Sequence, residues 1–223
     1  MEKLNNLKNQ NKQFKPLPLN NIGGNIIRDA IIERLKHDAH HDPLTGVLNR
    51  RGLDNQLAIM TNEKHSPEAL LYIDLTNFKA VNDNFGYEEG DKALMSMTEL
   101  LKSTIRKEDR LARIGGDEFI IILGDETTDL EENTDIGHRD VDGIDSDTKI
   151  IYAKTRIGNE MKKFLYENDH LKKVGFDLAV GGVVWKPGST YEELRPIAEK
   201  LTKEAKAVQH KNSGIQHRKT QVS

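Results

Sequence analysis

Apolar residues recur every three or four positions in five segments of the chain, which predicts five amphipathic helices. The first helix is expected from Asn25 to about His40, and Asn49 is a candidate cap for the second. Thr190 and Glu193 have the spacing of a capping box at the start of the last one. The residues that define the five apolar faces are Ile27, Ile31 and Leu35; Leu53, Leu57 and Met60; Ala93, Met97, Leu100, Leu101 and Ile105; Ile150, Ala153, Ile157, Met161, Phe164 and Leu165; and Leu194, Ile197, Leu201, Ala205 and Val208.

Short apolar runs bounded by turn residues indicate strands between these helices. One run covers 69–73, and another covers 176–185. Two further runs, 111–114 and 120–123, lie on either side of a Gly-Gly pair, which is typical of a hairpin. Helices mixed with strands around a central hairpin predict an α+β fold, in which helices cover a sheet.

The turn of this hairpin contains two adjacent acidic residues that a hairpin turn does not require. Gly115 and Gly116 let the backbone approach a bulky ligand, and the adjacent carboxylates of Asp117 and Glu118 suit a hard cation such as Mg²⁺. Asp74 ends the first strand-like run, so it could share a divalent metal with Asp117 if the two segments are neighbours. The alternative is a decorated turn and two unrelated surface acids.

Several motifs in order resemble the GGDEF-domain diguanylate cyclases. They are the segments 42–51 (DPLTGVLNRR), 74–83 (DLTNFKAVND), Gly86-Tyr87 with Gly90-Asp91, and 115–119 (GGDEF). The resemblance extends from about His37 to about Lys211. It implies a palm-like β-α-β-β-α-β domain of the nucleotide cyclase and polymerase type, with a mostly antiparallel central sheet flanked by helices.

The resemblance implies that two GTP molecules are condensed into cyclic di-GMP with release of pyrophosphate, with Mg²⁺ or Mn²⁺ as the cofactor. Matching of the motifs implies that Asp74, the Leu75 carbonyl and Asp117 ligate the metal. Glu118 would support the metal or the nucleophile, and Lys79 would meet the triphosphate. Such chemistry depends on positioning and on neutralising charge.

Other matched positions are implied to bind GTP. Asn82 and Asp91 fall where family members contact the guanine edge, and a carboxylate can accept hydrogen bonds from guanine N1-H and N2-H₂. Asp91 could instead be a helix N-cap. Lys206 is implied to contact phosphate. The remaining matched substrate positions are Phe78, Gly115 and Gly116.

Four positions depart from the family pattern. Thr76 stands where an Asp is common, and Tyr87 replaces the usual His. Gln209 and His210 occupy the places of a Gly and an Arg, which removes a permanent charge and its bidentate geometry. These changes keep a second reading open, in which the domain is catalytically weak or inactive and acts as a cyclic di-GMP or GTP receptor.

Arg106 and Asp109 match the position of the family's product-inhibition site. Arg106 could form paired hydrogen bonds to a guanine or phosphate of cyclic di-GMP. A solvated helix end is the alternative. Because each half-site would hold one GTP, the resemblance also implies a homodimer. The stripe of the first helix is the dimerisation candidate, although it is equally consistent with packing on its own domain.

The chain has 223 residues, enough for one domain with a sizeable core. We expect a flexible polar tail over 1–22, a lead-in helix over 23–41, the GGDEF domain over 42–211 with an acidic insertion at about 125–148, and a C-terminal tail over 212–223. We expect no sensory domain before residue 42, and therefore control by product, by a partner or by expression.

Composition narrows the function classes further. A net charge of −3 gives no indication of binding to a nucleic-acid polymer or a membrane, and the absence of cysteine excludes disulfides and thiolate metal sites. No segment resembles a signal peptide or a membrane span, so a cytoplasmic protein is expected.

Two other patterns invite a metal. Alternate acids over 140–147 suggest calcium, but the Gly and Glu positions of an EF-hand loop are not met. A solvated loop, or a binding surface of a scaffold protein, is the alternative. His37 and His41 are spaced for Zn²⁺ on one helix face but have no third ligand at a suitable spacing, so a polar helix end is favoured.

Overall fold

The computed structural model of the chain describes residues 22–62, 67–124 and 145–220, without the side chains of 22–26, 61, 62, 210 and 212–220. The expected polar tail and most of the acidic insertion lie outside these residues. The chain divides into two compact units between Ala39 and His40. No helix of the described ranges is long and apolar enough to cross a membrane.

The elements follow each other in an order that contains the expected β-α-β-β-α-β core. They are α1 (Ile22–His40), α2 (Arg50–Asn62), β1 (Pro67–Thr76), α3 (Phe78–Phe85), α4 (Tyr87–Thr104), β2 (Arg110–Arg113), β3 (Glu118–Gly124), α5 (Ser146–Glu167), α6 (Asp169–Lys173), β4 (Asp177–Val184) and α7 (Tyr191–Thr220).

The four described strands form one sheet in the order β2-β3-β1-β4, and every neighbouring pair is antiparallel. β1 therefore lies inside the sheet, between β3 and β4. Its near-continuous apolar sequence is explained by helices on both faces, because an internal strand covered on both sides has few polar positions. The predicted α+β class with an antiparallel sheet is confirmed.

Alternate residues of β1 enter two separate cores. Leu71, Ile73 and Leu75 pack with residues of α4 and α5. Leu70 and Tyr72 pack on the opposite face with residues of α2 and α7. Asp74 continues the second set, so its side chain belongs to the face that α7 covers.

α7 lies unusually close to this face at Gly181. A Cβ atom at Gly181 would be 2.1 Å from the carbonyl oxygen of Ala198, so only glycine permits this approach. The hydroxyl of Thr202 accepts a hydrogen bond from the Gly181 N–H at 2.9 Å and lies 2.9 Å from the Tyr72 carbonyl oxygen. These contacts fix the part of α7 that precedes Lys206.

The capping predictions are confirmed. The Asn49 side chain accepts from the N–H of Gly52 at 2.9 Å. At the start of α7, the hydroxyl of Thr190 accepts from the Glu193 N–H at 3.4 Å, and the Glu193 carboxylate accepts from the Thr190 N–H at 3.1 Å. Both ends therefore satisfy backbone donors that a helix would otherwise leave unpaired.

Three differences from the predicted elements have local causes. The short helices α3 and α6 were not predicted, because eight and five residues are too few to show a period of 3.6. α4 begins at Tyr87 and not at Gly90. α7 continues to Thr220, so most of the segment 212–223, expected to be a tail, is helical; no proline interrupts it after Pro196.

Candidate active site

The end of β1 meets the turn between β2 and β3. Asp74 is the register partner of Glu118, and the Leu75 N–H donates to the carbonyl oxygen of Asp117 at 3.0 Å. This pairing brings the acids of the 74–83 and 115–119 motifs to one end of the sheet.

The acids at this end of the sheet influence each other electrostatically. Burial raises the pKa of Asp117, and the negative charges of Asp74 and Glu118 raise it further. Lys206 opposes this effect, and its ammonium forms an ion pair with the Asp74 carboxylate. The end of the sheet therefore holds closely spaced carboxylates and one ammonium from α7.

A second lysine of α7 lies one turn before Lys206. The ammonium of Lys203 contacts the Glu199 carboxylate at 2.6 Å. Hydrogen bonding to Glu199 raises the pKa of Lys203, with smaller contributions from Glu118 and Asp74. The positive charge of Lys203 is therefore within electrostatic reach of the same acids, although the sequence motifs gave no reason to select it.

The turn itself is held by a side chain that the sequence analysis missed. Arg113 donates to the carbonyl oxygen of Gly116 at 2.7 Å and to the Asp42 carboxylate at 3.0 Å. Asp42 also accepts from the N–H of Thr45 at 2.9 Å. The 42–51 motif thus supports the Gly-Gly turn through Arg113. No local spacing could reveal this contact, because its partners are 71 residues apart.

Glu118 is held from two sides. The Tyr72 hydroxyl donates to its Oε1 at 2.5 Å. Its Oε2 lies against Gly115, where a Cβ atom would be only 2.4 Å away. Burial raises the pKa of Tyr72, and the hydrogen bond to Glu118 adds to this effect, so Tyr72 is the donor. A side chain at position 115 would therefore displace the Glu118 carboxylate from this position.

The donor set fits a hard divalent cation. Asp74 and Asp117 offer carboxylate oxygens, which are ligands that Mg²⁺ and Mn²⁺ accept, and the Leu75 N–H holds its backbone against that of Asp117. Within the described ranges, no three His, Cys, Asp or Glu side chains form a metal cluster. This result applies to the acids around Asp74 and Asp117 as well as to His37 and His41.

Two predicted base-binding residues lie close together on α3 and α4. A Cβ atom at Gly90 would be 1.9 Å from the Asn82 amide oxygen, so Gly90 makes room for that side chain. Asp91 follows directly and is exposed. The N-cap position of α4 belongs to Gly86, which removes the capping alternative for Asp91.

The two other predicted substrate residues of α3 differ in environment. Phe78 is partly buried and packs against the core on the α4 and α5 side of the sheet. Lys79 is exposed at the start of the helix. Their neighbour Asn77 has a left-handed backbone with φ of 58°, and its amide donates to the Gly175 carbonyl oxygen at 2.8 Å. The sharp change of direction after β1 is thereby fixed.

The predicted inhibition site has a buried acid. Asp109 is 7% exposed, and its carboxylate accepts from the backbone N–H groups of Arg106 at 2.8 Å and Gly124 at 3.1 Å. Burial raises its pKa despite these bonds. Arg156 of α5 is close by: burial lowers its pKa, the Arg106 charge lowers it further, and Asp109 opposes this. Arg156 was not predicted, because it lies 47 positions after Asp109 in the chain.

Two of the positions that depart from the family pattern, Thr76 and Gln209, lie at the same end of the sheet as Asp74. Thr76 is buried and is the register partner of Asp177 on β4, whose pKa is raised by burial. The Gln209 amide donates to the Leu178 carbonyl oxygen at 2.9 Å. The side chain of His210 lies outside the described residues. Tyr87 is 82% exposed.

Only the end of the acidic insertion can be described. Asp145 caps α5, where its carboxylate accepts from the N–H of Thr148 at 3.1 Å. The other acids of the calcium alternative, apart from the exposed Asp147, lie outside the described residues. The described part of this segment is a helix start.

Comparison with known proteins identifies relatives along most of the chain. The family model "Diguanylate cyclase, GGDEF domain" matches residues 39–158. The probable diguanylate cyclase DgcE of Escherichia coli is 40% identical over 114 residues, which are 47% of this chain and 10% of that protein. The diguanylate cyclase DosC of Escherichia coli is 28% identical over 206 residues, 89% of this chain and 41% of that protein. The chain thus spans well under two thirds of these relatives.

Solved structures share the fold. Diguanylate cyclase SiaD from Pseudomonas aeruginosa, in complex with its activator SiaC, has a TM-score of 0.57 at 21% identity and covers 93% of this chain and 68% of its own. The coiled coil and GGDEF domain of DgcB from Caulobacter crescentus, in complex with c-di-GMP, has a TM-score of 0.55 at 18% identity, and the match covers 84% of this chain and 88% of that one. Vibrio cholerae LapD, bound to c-di-GMP, has a TM-score of 0.60 at 21% identity, and the match covers 81% of this chain and 37% of that one.

Proposed function

Because this chain belongs to the GGDEF family of diguanylate cyclases, we propose that it condenses two GTP molecules into cyclic di-GMP and releases pyrophosphate. The observation that carries this proposal is the convergence of Asp74 and Asp117 at one end of the sheet, with Lys206 beside them. Carboxylates gathered at the cost of mutual repulsion are typical of a site that binds a cation.

We infer that Asp74, the Leu75 carbonyl and Asp117 hold Mg²⁺ or Mn²⁺. Such an ion, when bound, neutralises phosphate charge and lowers the pKa of an attacking hydroxyl. Glu118 stands next to these ligands with its carboxylate fixed by Tyr72. In this proposal Glu118 supports the ion or the 3′-hydroxyl that attacks the α-phosphate.

The same proposal assigns the substrate contacts. Lys206 and Lys79 meet the triphosphate as point charges. Asn82 and Asp91 bind the guanine edge, and the close packing of Asn82 over Gly90 supports their joint action. An adenine base presents an acceptor at N1 where guanine presents a donor, so the Asp91 carboxylate favours guanine.

Each site holds one GTP in this scheme, so synthesis requires two copies of the chain. The α1 stripe is exposed at Ile27 (61%), Ile31 (53%) and Leu35 (62%). An apolar stripe on a helix exposed in this way is suited to pairing with a second helix. We propose that it contributes to a homodimer.

Product inhibition belongs to the same proposal. The charges of Arg106 and Arg156 are within electrostatic range of each other, and two guanidinium groups suit an anionic cyclic dinucleotide. Asp109 supports this place from within, because both of its oxygens accept backbone N–H groups.

The test is incubation of the purified protein with GTP and Mg²⁺ or Mn²⁺, followed by chromatography of the nucleotides. We expect cyclic di-GMP from the wild-type protein and none from Asp117→Ala. Asp147→Ala is the matched control, since this exposed acid lies on α5, and it should retain full synthesis. A wild-type protein that leaves GTP unchanged would refute the proposed activity.

A second candidate function is a receptor without catalysis, favoured by Thr76 and His210 in place of the common Asp and Arg. This reading predicts binding of cyclic di-GMP without its synthesis, and loss of binding in Arg106→Ala. Synthesis of cyclic di-GMP from GTP separates the two candidates, because both are expected to bind cyclic di-GMP, and isothermal titration then tests that binding. A protein that neither makes nor binds cyclic di-GMP would leave the scaffold alternative.

A further inference from the structure

A tyrosine inside the sheet makes a contact with the proposed catalytic centre. Tyr72 is 2% exposed and lies in the core shared with α2 and α7. Its hydroxyl is 2.5 Å from Oε1 of Glu118, a residue 46 positions away. The other core residues that β1 contributes to this face and the opposite one are aliphatic, so the hydroxyl is not required to fill the core.

The strand register makes this contact possible. Tyr72 is opposite Ile120 and Asp74 is opposite Glu118, so Tyr72 and Glu118 are diagonal neighbours on one face. A tyrosine ring is long enough to span that diagonal. α7 fixes the backbone of β1 at this residue, because the Thr202 hydroxyl lies 2.9 Å from the Tyr72 carbonyl oxygen.

The opposite side of the carboxylate is also closed. Oε2 of Glu118 lies against Gly115 so closely that a Cβ atom there would be 2.4 Å away. The carboxylate therefore has the Tyr72 phenol at Oε1 and position 115 next to Oε2. Oε1 faces the phenol, and Oε2 faces the turn that carries Asp117.

We propose that Tyr72 is a positioning residue for the reaction: its hydroxyl fixes the Glu118 carboxylate in the orientation that metal binding and GTP condensation require. This inference rests on the proposed diguanylate cyclase activity. A glutamate loses substantial rotamer freedom when it is ordered, and a hydrogen bond made before substrate arrives removes that cost from the reaction. Hydrogen bonds to an ionised acceptor are the stronger kind.

The test compares Tyr72→Phe with Tyr191→Phe. Tyr191 is 5% exposed, and its hydroxyl has no hydrogen-bond partner among the described residues, so it controls for loss of a buried hydroxyl. In Tyr72→Phe we expect kcat to fall roughly tenfold or more with KM for GTP nearly unchanged. The control should keep both constants. A hydroxyl with a purely structural role would lower the melting temperature and leave kcat intact.

A second readout does not depend on turnover. Electron paramagnetic resonance measures the affinity for Mn²⁺ in the presence of a non-hydrolysable GTP analogue. This affinity should fall roughly tenfold in Tyr72→Phe and stay unchanged in Tyr191→Phe. In a Glu118→Gln background, Tyr72→Phe should cause no further loss of kcat, because the two residues act as a unit.

Gly115→Ala displaces the same carboxylate from its other side and should weaken Mn²⁺ binding in the same way, even if Tyr72→Phe folds poorly. An active Tyr72→Phe variant with wild-type kcat and Mn²⁺ affinity overturns the role of Tyr72 and leaves the cyclase proposal intact. A wild-type protein that makes no cyclic di-GMP overturns the cyclase proposal, and the Mn²⁺ comparison then decides alone whether Tyr72 positions Glu118.

Discussion

At the scale of single residues, Asp42 links a turn at the start of the domain to the Gly-Gly turn. Burial alone would raise its pKa, but hydrogen bonds from Thr45 and Arg113 outweigh it and hold the pKa below the ordinary value. The ionised form is therefore favoured by folding. Its contribution to stability is complete above about pH 4, the unfolded pKa, and is lost as the pH falls through the lower folded pKa.

Asp42→Asn should accordingly destabilise the protein by about 1 kcal/mol near pH 7, with a difference that shrinks below about pH 4. Urea unfolding of both proteins near pH 7 and below about pH 4 measures this difference in the free energy of unfolding. Asp54→Asn is the control, because its ion pair with Arg50 is exposed on both sides and should contribute little. A difference that grows on acidification would contradict the assignment.

Substitutions of Asp109 and Arg106 should affect different properties, the first mainly the free energy of unfolding and the second mainly the binding of cyclic di-GMP. Asp109→Ala leaves two backbone N–H groups without their acceptor, and we expect a loss of about 2–3 kcal/mol in the free energy of unfolding. Arg106→Ala, at a partly buried position, should cost less stability and weaken cyclic di-GMP binding. Urea unfolding and isothermal titration on both variants check this, and equal stability losses would argue against the bracing role of Asp109.

Residues with a motif could be found from the sequence, and residues that support them could not. Asp74 and Asp117 end or interrupt apolar runs, which marks them in one dimension. Arg113 and Tyr72 are defined by partners 71 and 46 positions away. Such contacts exist only once the sheet has formed, and a tyrosine in an apolar run resembles any other core residue.

At the scale of elements, the contact between α7 and β4 should control the position of Lys206. In Gly181→Ala the new Cβ meets the backbone of Ala198 at 2.1 Å and of Thr202 at 2.5 Å. Backbone atoms cannot move aside as a flexible side chain can, so α7 must shift. We expect a loss of about 2–3 kcal/mol in stability, together with weaker binding of a GTP analogue.

Gly158→Ala provides the matched comparison on α5. A Cβ atom at Gly158 meets nothing within 4 Å, and alanine favours a helix by about 1 kcal/mol over glycine. Thermal unfolding should therefore show a small gain for Gly158→Ala and a loss for Gly181→Ala. Equal effects would mean that the close approach of α7 is unimportant.

Element prediction succeeded where a periodic pattern was long. The apolar stripes of α2 and α5 and the cap residues Asn49 and Thr190 were sufficient to place helices at those positions. The stripe predicted for α7 is wrong as its buried face, because Ile197, Leu201 and Val208 are exposed while Leu194, Ala198 and Thr202 are buried. α3 is only eight residues long and follows a left-handed Asn77. Conformations of this kind depend on the hydrogen bond to Gly175 across the domain and not on neighbouring residues.

At the scale of the whole molecule, the proposed homodimer depends on the exposed stripe of α1. Ile31→Asp should lower the average mass in sedimentation velocity and reduce the activity per molecule most at low protein concentration. Ile59→Asp is the matched control, since this isoleucine is 40% exposed on α2. Unchanged mass and activity in Ile31→Asp would exclude this stripe from the dimer.

The architecture could be anticipated because several motifs occur in the order of one known family, and the order of strands follows from it. The division of the chain between Ala39 and His40 falls near the expected start of the domain at residue 42. The hydrogen bond from Arg113 to Asp42 connects the 42–51 motif to β2, although the motif precedes the first strand in the chain.

In the proposed cyclase, the ion pair between Lys206 and Asp74 has a consequence for the order in which metal and nucleotide bind. A divalent ion arriving by itself must compete with an ammonium already seated on its ligand, and the displaced ammonium would be left without a counterion. Nucleotide phosphate offers that counterion, so metal and nucleotide should enter as one complex while Lys206 exchanges a carboxylate for a phosphate. In this proposal, the site binds a metal ion weakly when no nucleotide is present.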